Sequence, residues 1–280
     1  MRLRSAAAAL LLGAGASVHA ADGVWDERIE ADAARETFTL TARRPNYFLL
    51  TWHEPNQATY EATGSTERVE NEEIKFQLSF QTKVADDLLG SNGDLWFSYT
   101  QVSYWQLFNS AISAPFRETN YEPELRASFL TAWPLLGLKL RSVDVGVVHQ
   151  SNGRAEPLSR SWNRVFAEFQ LVRGDFLLSF KPWVRLREDP QEDNNPDIED
   201  YLGRYELRAA YRWRGQIFGA MLRNAFDSQH RLNAELQWSF PIVRRLRGLV
   251  QWYHGYGESL IDYNYNSHRI GIGVLMTDWL

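Results

Sequence analysis

From about residue 75 to the C-terminus the chain alternates apolar and polar residues, segment after segment, and nowhere after its first 20 residues does it accumulate an apolar run of about 18 residues. Helices cannot span a membrane on such a pattern, but strands can. In 231–240, RLNAELQWSF, Leu232, Ala234, Leu236, Trp238 and Phe240 share one face, while Asn233, Glu235, Gln237 and Ser239 share the other. In 175–187, Phe176, Leu178, Phe180, Val184 and Leu186 oppose Ser179, Lys181, Arg185 and Arg187. Charged faces recur strand after strand, and the apolar faces carry Trp, Phe and Leu near the strand ends. A soluble β-sandwich also alternates, but it pairs its apolar faces in a closed core. Lipid outside and a polar interior fit this pattern better.

Segments of this kind fall near 47–56, 75–85, 94–108, 121–133, 139–150, 162–173, 175–187, 201–214, 216–227, 231–240, 247–260 and 267–280. They predict an all-β fold, an antiparallel transmembrane β-barrel of about twelve strands, the even number that bacterial barrels use. Short turns such as Arg173–Asp175 and Arg214–Gln216 alternate with longer connections. The N-terminus supports export: MRLRSAAAALLLGAGASVHA has two arginines, an Ala/Leu run and small residues at Val18 and Ala20, so 1–20 is expected to be a signal peptide. Residues 21–46 are mixed and polar and are expected to form a periplasmic segment before a single barrel domain, 47–280. Removing Arg2 and Arg4 takes the formal charge from −5 to −7, which argues against a nucleic-acid partner. The chain has no cysteine, so its stability must come from packing, backbone pairing or a metal. The stretch 188–200, EDPQEDNNPDIED, reads as a solvated acidic loop without the spacing of an EF-hand.

The candidate chemistry lies in VVHQSNGRAEPLSRSWNRV, 147–165. Val143, Val145, Val147, His149 and Ser151 fall on one face, and in the next segment Asn163 is in phase with Val165, Ala167 and Phe169. The three polar residues therefore belong to the lipid-facing side, at the same end of neighbouring strands joined by the loop 152–161. A hydrolase whose substrate is membrane lipid would place its site there. With a periplasmic N-terminus, that end is extracellular. Serine becomes nucleophilic when a histidine takes its proton and a third group fixes the imidazole tautomer. His149 and Ser151 are same-face neighbours, Asn163 can reach His149 from the adjacent strand, and the backbone N–H of Gly153 is placed to donate to an oxyanion.

HQSNGRAEPLSRSWNR, together with YTQVSYWQLFNSAISAPFRETNYEPEL (99–125) and GYGESLIDYNYN (255–266), closely resembles the outer-membrane phospholipase A family, and the likeness runs from about residue 94 to the end. That resemblance implies a twelve-stranded barrel hydrolysing acyl esters of phospholipids and lysophospholipids, dependent on calcium and active as a homodimer. It implies His149 as base, Ser151 as nucleophile, Asn163 as orienting residue and the Gly153 N–H as oxyanion donor. It also implies a calcium ion held by the carbonyl of Arg154, the hydroxyl of Ser159 and the carbonyl of Ser113 of the partner subunit, all hard oxygen donors. Gln101 matches a glutamine at the family's dimer interface; on residue type alone it reads as an inward polar residue. The family's second calcium site uses two aspartates, and the matching positions here are Glu156 and Asn194. The chain ends on Leu280, where such barrels usually end in an aromatic. The competing reading is a non-enzymatic diffusion barrel or scaffold.

Overall fold

The computed structural model describes residues 23–61, 68–90, 92–224, 229, 231–243 and 246–277. The expected signal peptide and the Leu280 terminus lie outside them. A helix α1 (Val24–Ala33) precedes β1 (Asn46–His53), a short helix α2 (Gln57–Glu61), β2 (Glu72–Ala85), β3 (Gly93–Trp105), β4 (Phe116–Leu135), β5 (Leu138–Ser151), β6 (Ser161–Arg173) and β7 (Phe176–Leu186). A helical turn α3 (Ile198–Leu202) then leads to β8 (Tyr205–Trp213), β9 (Gln216–Arg223), β10 (Asn233–Val243), β11 (Leu246–Gly255) and β12 (Ser267–Thr277). Each strand pairs antiparallel with its sequence neighbours, and β1 closes on β12, so the sheet is a closed barrel without an edge. Closure is what allows a strand to cross hydrocarbon, because every ladder N–H and C=O finds a partner.

The barrel is inverted relative to a soluble core. Leu50, Trp52, Val145, Val147, Val184, Leu186, Trp238 and Ile272 are exposed on the outside, while Lys75, Lys83, Arg126, Asp144, Lys181 and Arg269 are buried inside. Ion pairs cross the interior, with Lys181 Nζ reaching Glu124 at 2.5 Å and Arg44 Nη2 reaching Glu122 at 2.7 Å, while Arg126 Nε pairs with Asp144 of the adjacent strand at 3.2 Å. Buried charges of this kind persist only when paired. Such pairing crowds the lumen with charged side chains, which line a cavity of about 470 Å³ beneath α1.

The two ends differ. β4–β5, β6–β7 and β8–β9 are joined by two-residue turns, and in two of them both turn residues have positive φ (Leu136 53°, Gly137 78°; Arg214 50°, Gly215 78°), the geometry that matches strand twist. The helix α1 caps this short-turn end. Trp25 is buried against Val172, Ala210 and Ile217, and its Nε1 donates to the Asp175 carbonyl at 2.8 Å. Asp26 pairs with Arg141 at 2.6 Å, and Arg43 enters the lumen to reach Glu168 at 2.5 Å. The segment before β1, mixed and polar in sequence, is thus a structured cap. The long connections lie at the other end, where 256–266 folds inward: Glu258 pairs with Lys75 and Arg269, and Asp262 with Arg117.

Candidate functional site

The strand β5 runs from the short-turn end to the long-loop end and carries His149 and Ser151 at its finish. Register pairs His149 with Asn163 and Ser151 with Ser161 on β6, and Ser151 with Tyr121 on β4. His149 is exposed on the outer wall while its neighbour Val148 is buried inside, so the alternation through Val143, Val145 and Val147 carries unbroken to the site. His149 Nδ1 and Asn163 Oδ1 are 2.9 Å apart. The amide oxygen can only accept, so Nδ1 carries the proton and, in the neutral ring, Nε2 keeps its lone pair. Ser151 lies on the same face, half-buried, without a hydrogen bond to the ring; bonds of this kind commonly tighten only when substrate is bound. Asn163 Nδ2 in turn donates to Glu188 Oε1 at 2.9 Å, a contact that the acidic stretch 188–200 gave no local reason to expect.

Behind this wall is a packed core. Val148, Trp162, Phe166 and Trp183 face inward and meet Ile198, Leu202, Leu260 and Tyr263 from the connections at the long-loop end. Trp162 is fully buried, its Nε1 donates to Gln150 at 2.8 Å, and the Arg164 guanidinium lies 4.0 Å from its ring centroid. The backbones of His149 and Asn163 are held by what lies on their far side. Trp162→Ala is expected to cost about 3–5 kcal/mol through cavity formation. Denaturant unfolding in detergent checks this, and an unchanged midpoint would contradict it.

The loop 152–160 is stapled by Asn152. Its Nδ2 donates to the Leu158 carbonyl at 2.8 Å, and its Oδ1 accepts from the N–H groups of Arg160 at 3.0 Å and Arg154 at 3.3 Å. Asn152 is nearly fully buried, and sequence reading passed over it. Gly153 follows with φ +64°, which favours glycine, and a Cβ there would press on the Tyr121 ring at 3.2 Å. The Arg154 side chain pairs with Glu118 at 3.1 Å and donates to the Arg117 carbonyl, tying the loop to the start of β4. Ser113, exposed with φ 62°, closes the 3₁₀ turn just before β4 at the same end of the barrel.

Among the described residues no three acidic, imidazole or thiol side chains converge on a metal site. A cation at this loop would therefore rely on carbonyl and hydroxyl oxygens, which suit hard ions. The Arg154 carbonyl accepts no hydrogen bond among the described residues, and the Ser159 hydroxyl retains free lone-pair capacity, so the expected primary set fits calcium. The family's second site, whose positions here are Glu156 and Asn194, does not fit an ion. Asn194 Nδ2 donates to Ser159 Oγ at 2.8 Å and to Glu156 Oε1 at 3.3 Å, so an amide N–H₂ stands where two carboxylates would face an ion.

Gln101 corrects its residue-type reading. Trp96, Ser98, Thr100 and Tyr104 of β3 are buried and face inward, and Gln101 lies on the outer face in register with Leu78 and Tyr121. It accepts from Tyr99 Oη at 3.1 Å and donates to Ser103 Oγ at 3.0 Å, which keeps a polar group satisfied on an apolar wall. Gln101, Tyr121 and Ser151 form one row across β3, β4 and β5, so Gln101 lies two strands, about 10 Å, from the serine.

A family model described as phospholipase A1 matches residues 25–276. The phospholipase A1 of Klebsiella pneumoniae is 42% identical over 242 residues, covering 86% of this chain and 83% of its own length. That of Escherichia coli K12 is 42% identical over 244 residues, covering 86% and 82%. A solved outer-membrane phospholipase dimer from Salmonella typhi, with bound calcium, superposes with a TM-score of 0.84 at 39% identity, covering 90% of this chain and 98% of that one. An Escherichia coli outer membrane phospholipase A, solved as an active-site mutant with an asparagine replaced by alanine, superposes equally well, with a TM-score of 0.84 at 39% identity and the same coverage.

Proposed function

The chain belongs to the phospholipase A1 family and is a phospholipase of the bacterial outer membrane, and from that premise we propose that Ser151, His149 and Asn163 are its catalytic triad. The observation that carries the reading is the His149–Asn163 bond on the outer wall, two residues from a serine on the same face. His149 Nε2 takes the Ser151 proton as Oγ attacks the acyl carbonyl of a phospholipid or lysophospholipid. The Gly153 N–H donates to the developing oxyanion. The imidazolium then returns its proton to the leaving alcohol oxygen, and water releases the fatty acid by the same steps in reverse. The solved relative whose active-site asparagine was replaced supports the role given to Asn163. Asn163→Ala should be milder than loss of the serine or the histidine, because orientation rather than proton transfer is lost. Full activity in Asn163→Ala, measured as fatty-acid release, would move the orienting role elsewhere.

The Arg154 carbonyl, the Ser159 hydroxyl and the carbonyl of Ser113 of the partner subunit would hold calcium. Bound there, calcium would supply positive charge near the developing oxyanion, beside the Gly153 N–H. A lone barrel offers no walled cleft on its outer face, so acyl chains need a second barrel beside the Gln101 row. Dimerisation and calcium binding are then linked, each strengthening the other. The short-turn end with α1 is periplasmic, and the site works at the extracellular leaflet. Sedimentation in detergent, with calcium or chelator, compared with fatty-acid release from mixed micelles tests this reading. Activity should track the calcium-stabilised dimer, and full activity in a monomeric population would contradict it. The diffusion-barrel reading predicts single-channel conductance without hydrolysis, and the ion pairs crossing the lumen, Lys181–Glu124 and Arg44–Glu122, speak against it.

A further inference from the structure

We propose that Glu188 is a positioning residue for His149, acting through Asn163. The inference rests on the triad reading above. A primary amide has two ends of nearly the same shape and opposite chemistry, so packing alone does not decide which end faces the imidazole. Asn163 lies between His149 Nδ1 at 2.9 Å and Glu188 Oε1 at 2.9 Å. An ionised carboxylate only accepts, so the end toward Glu188 must be the N–H₂ and the end toward His149 must be the oxygen. That oxygen requires a proton on Nδ1, and Nε2 is left free as the base for Ser151. With the amide turned over, Nδ1 would have to accept and the proton would move to Nε2, where it blocks attack. Glu188 therefore settles the tautomer from two hydrogen bonds away.

Its placement supports this role. Leu186, at the end of β7, is the register partner of Asn163, and Glu188 follows two residues later, half-buried beside the amide. A carboxylate there also supplies the negative charge that an asparagine lacks. When His149 becomes positively charged, that charge lies one amide away. The arrangement does the work of the acidic member of a Ser–His–Asp triad with an amide interposed.

The test uses Glu188→Ala, Glu188→Gln, Asn163→Asp and the combination Asn163→Asp with Glu188→Ala, in the full chain with calcium present. Heat-modifiable gel mobility identifies the folded fraction. Glu188→Ala should lower kcat about 10-fold with KM unchanged, since orientation matters in the transition state and not in lipid binding. Glu188→Gln keeps an acceptor and loses the charge, so it should restore part of that loss. If Glu188→Ala does not fold, the isosteric Glu188→Gln carries the test through a kcat below wild type. In the Asn163→Asp background the need for orientation disappears and two carboxylates repel, so Glu188→Ala should raise kcat. A merely structural Glu188 would lower kcat in both backgrounds, and that result would overturn the proposal, as would a wild-type kcat in Glu188→Ala. If Ser151→Ala or Asn163→Ala proves fully active, the triad reading itself falls. If both are impaired while Glu188→Ala matches wild type, only the role of Glu188 falls.

Discussion

Ser151→Ala should reduce fatty-acid release on the order of 10⁴-fold or more and leave the barrel folded. On the proposed mechanism the hydroxyl is the nucleophile; its register partner Ser161 adjoins Asn163, not His149, along its own strand. The substitution removes one oxygen from a half-buried position on the outer wall, away from the Trp162 core, so no cavity opens and the unfolding midpoint should hold. Release from mixed micelles with calcium, together with heat-modifiable mobility, checks both halves. A near wild-type rate would remove Ser151 from the mechanism.

His149→Ala should cost nearly as much, about 10³–10⁴-fold, because the serine then keeps its proton. The other described histidines cannot stand in. His53 is buried in the lumen, paired with Glu73 at 3.3 Å, and His254 and His268 meet each other across β11 and β12, their Nδ1 atoms 3.2 Å apart. Because His149 is exposed and bonded only through Nδ1, its loss should change rate and not stability. Comparable loss on substituting His254 would show that the base had been placed on the wrong strand pair.

The strands were legible because their inner and outer faces differ in chemistry along their whole length. Lys181 and Arg185 inside against Phe180 and Val184 outside is a local signal, and it held. Boundaries shifted where that contrast fades. β4 begins at Phe116, earlier than the alternation suggested, because Arg117 and Glu118 are both buried at the rim. β11 stops at Gly255, since 256–260 turns into the lumen to place Glu258 and Leu260. The helix α1 escaped notice because Trp25 and Asp26 are its only buried residues, too little for an amphipathic pattern.

At the site, His149, Ser151 and Asn163 were visible because strand phase put three polar residues on an apolar wall. Gln101 was read as inward on its polarity alone, although it shares its phase with Phe97 and Tyr99 on the outer face. Glu188 carried no such mark. Its contact joins residues 25 apart across β6 and β7, and along the chain it is one acid among several. Asn152 likewise acts through a loop whose closure only the fold reveals.

The central claim is that this outer wall carries an activated serine, and labelling tests it most directly. Native protein with calcium would be treated with a long-chain sulfonyl fluoride, digested, and the modified residue located by mass spectrometry. The expected result is modification at Ser151, lost in His149→Ala and on unfolding. Modification at another serine, or equal labelling of Ser151 in the native protein and in His149→Ala, would contradict the account.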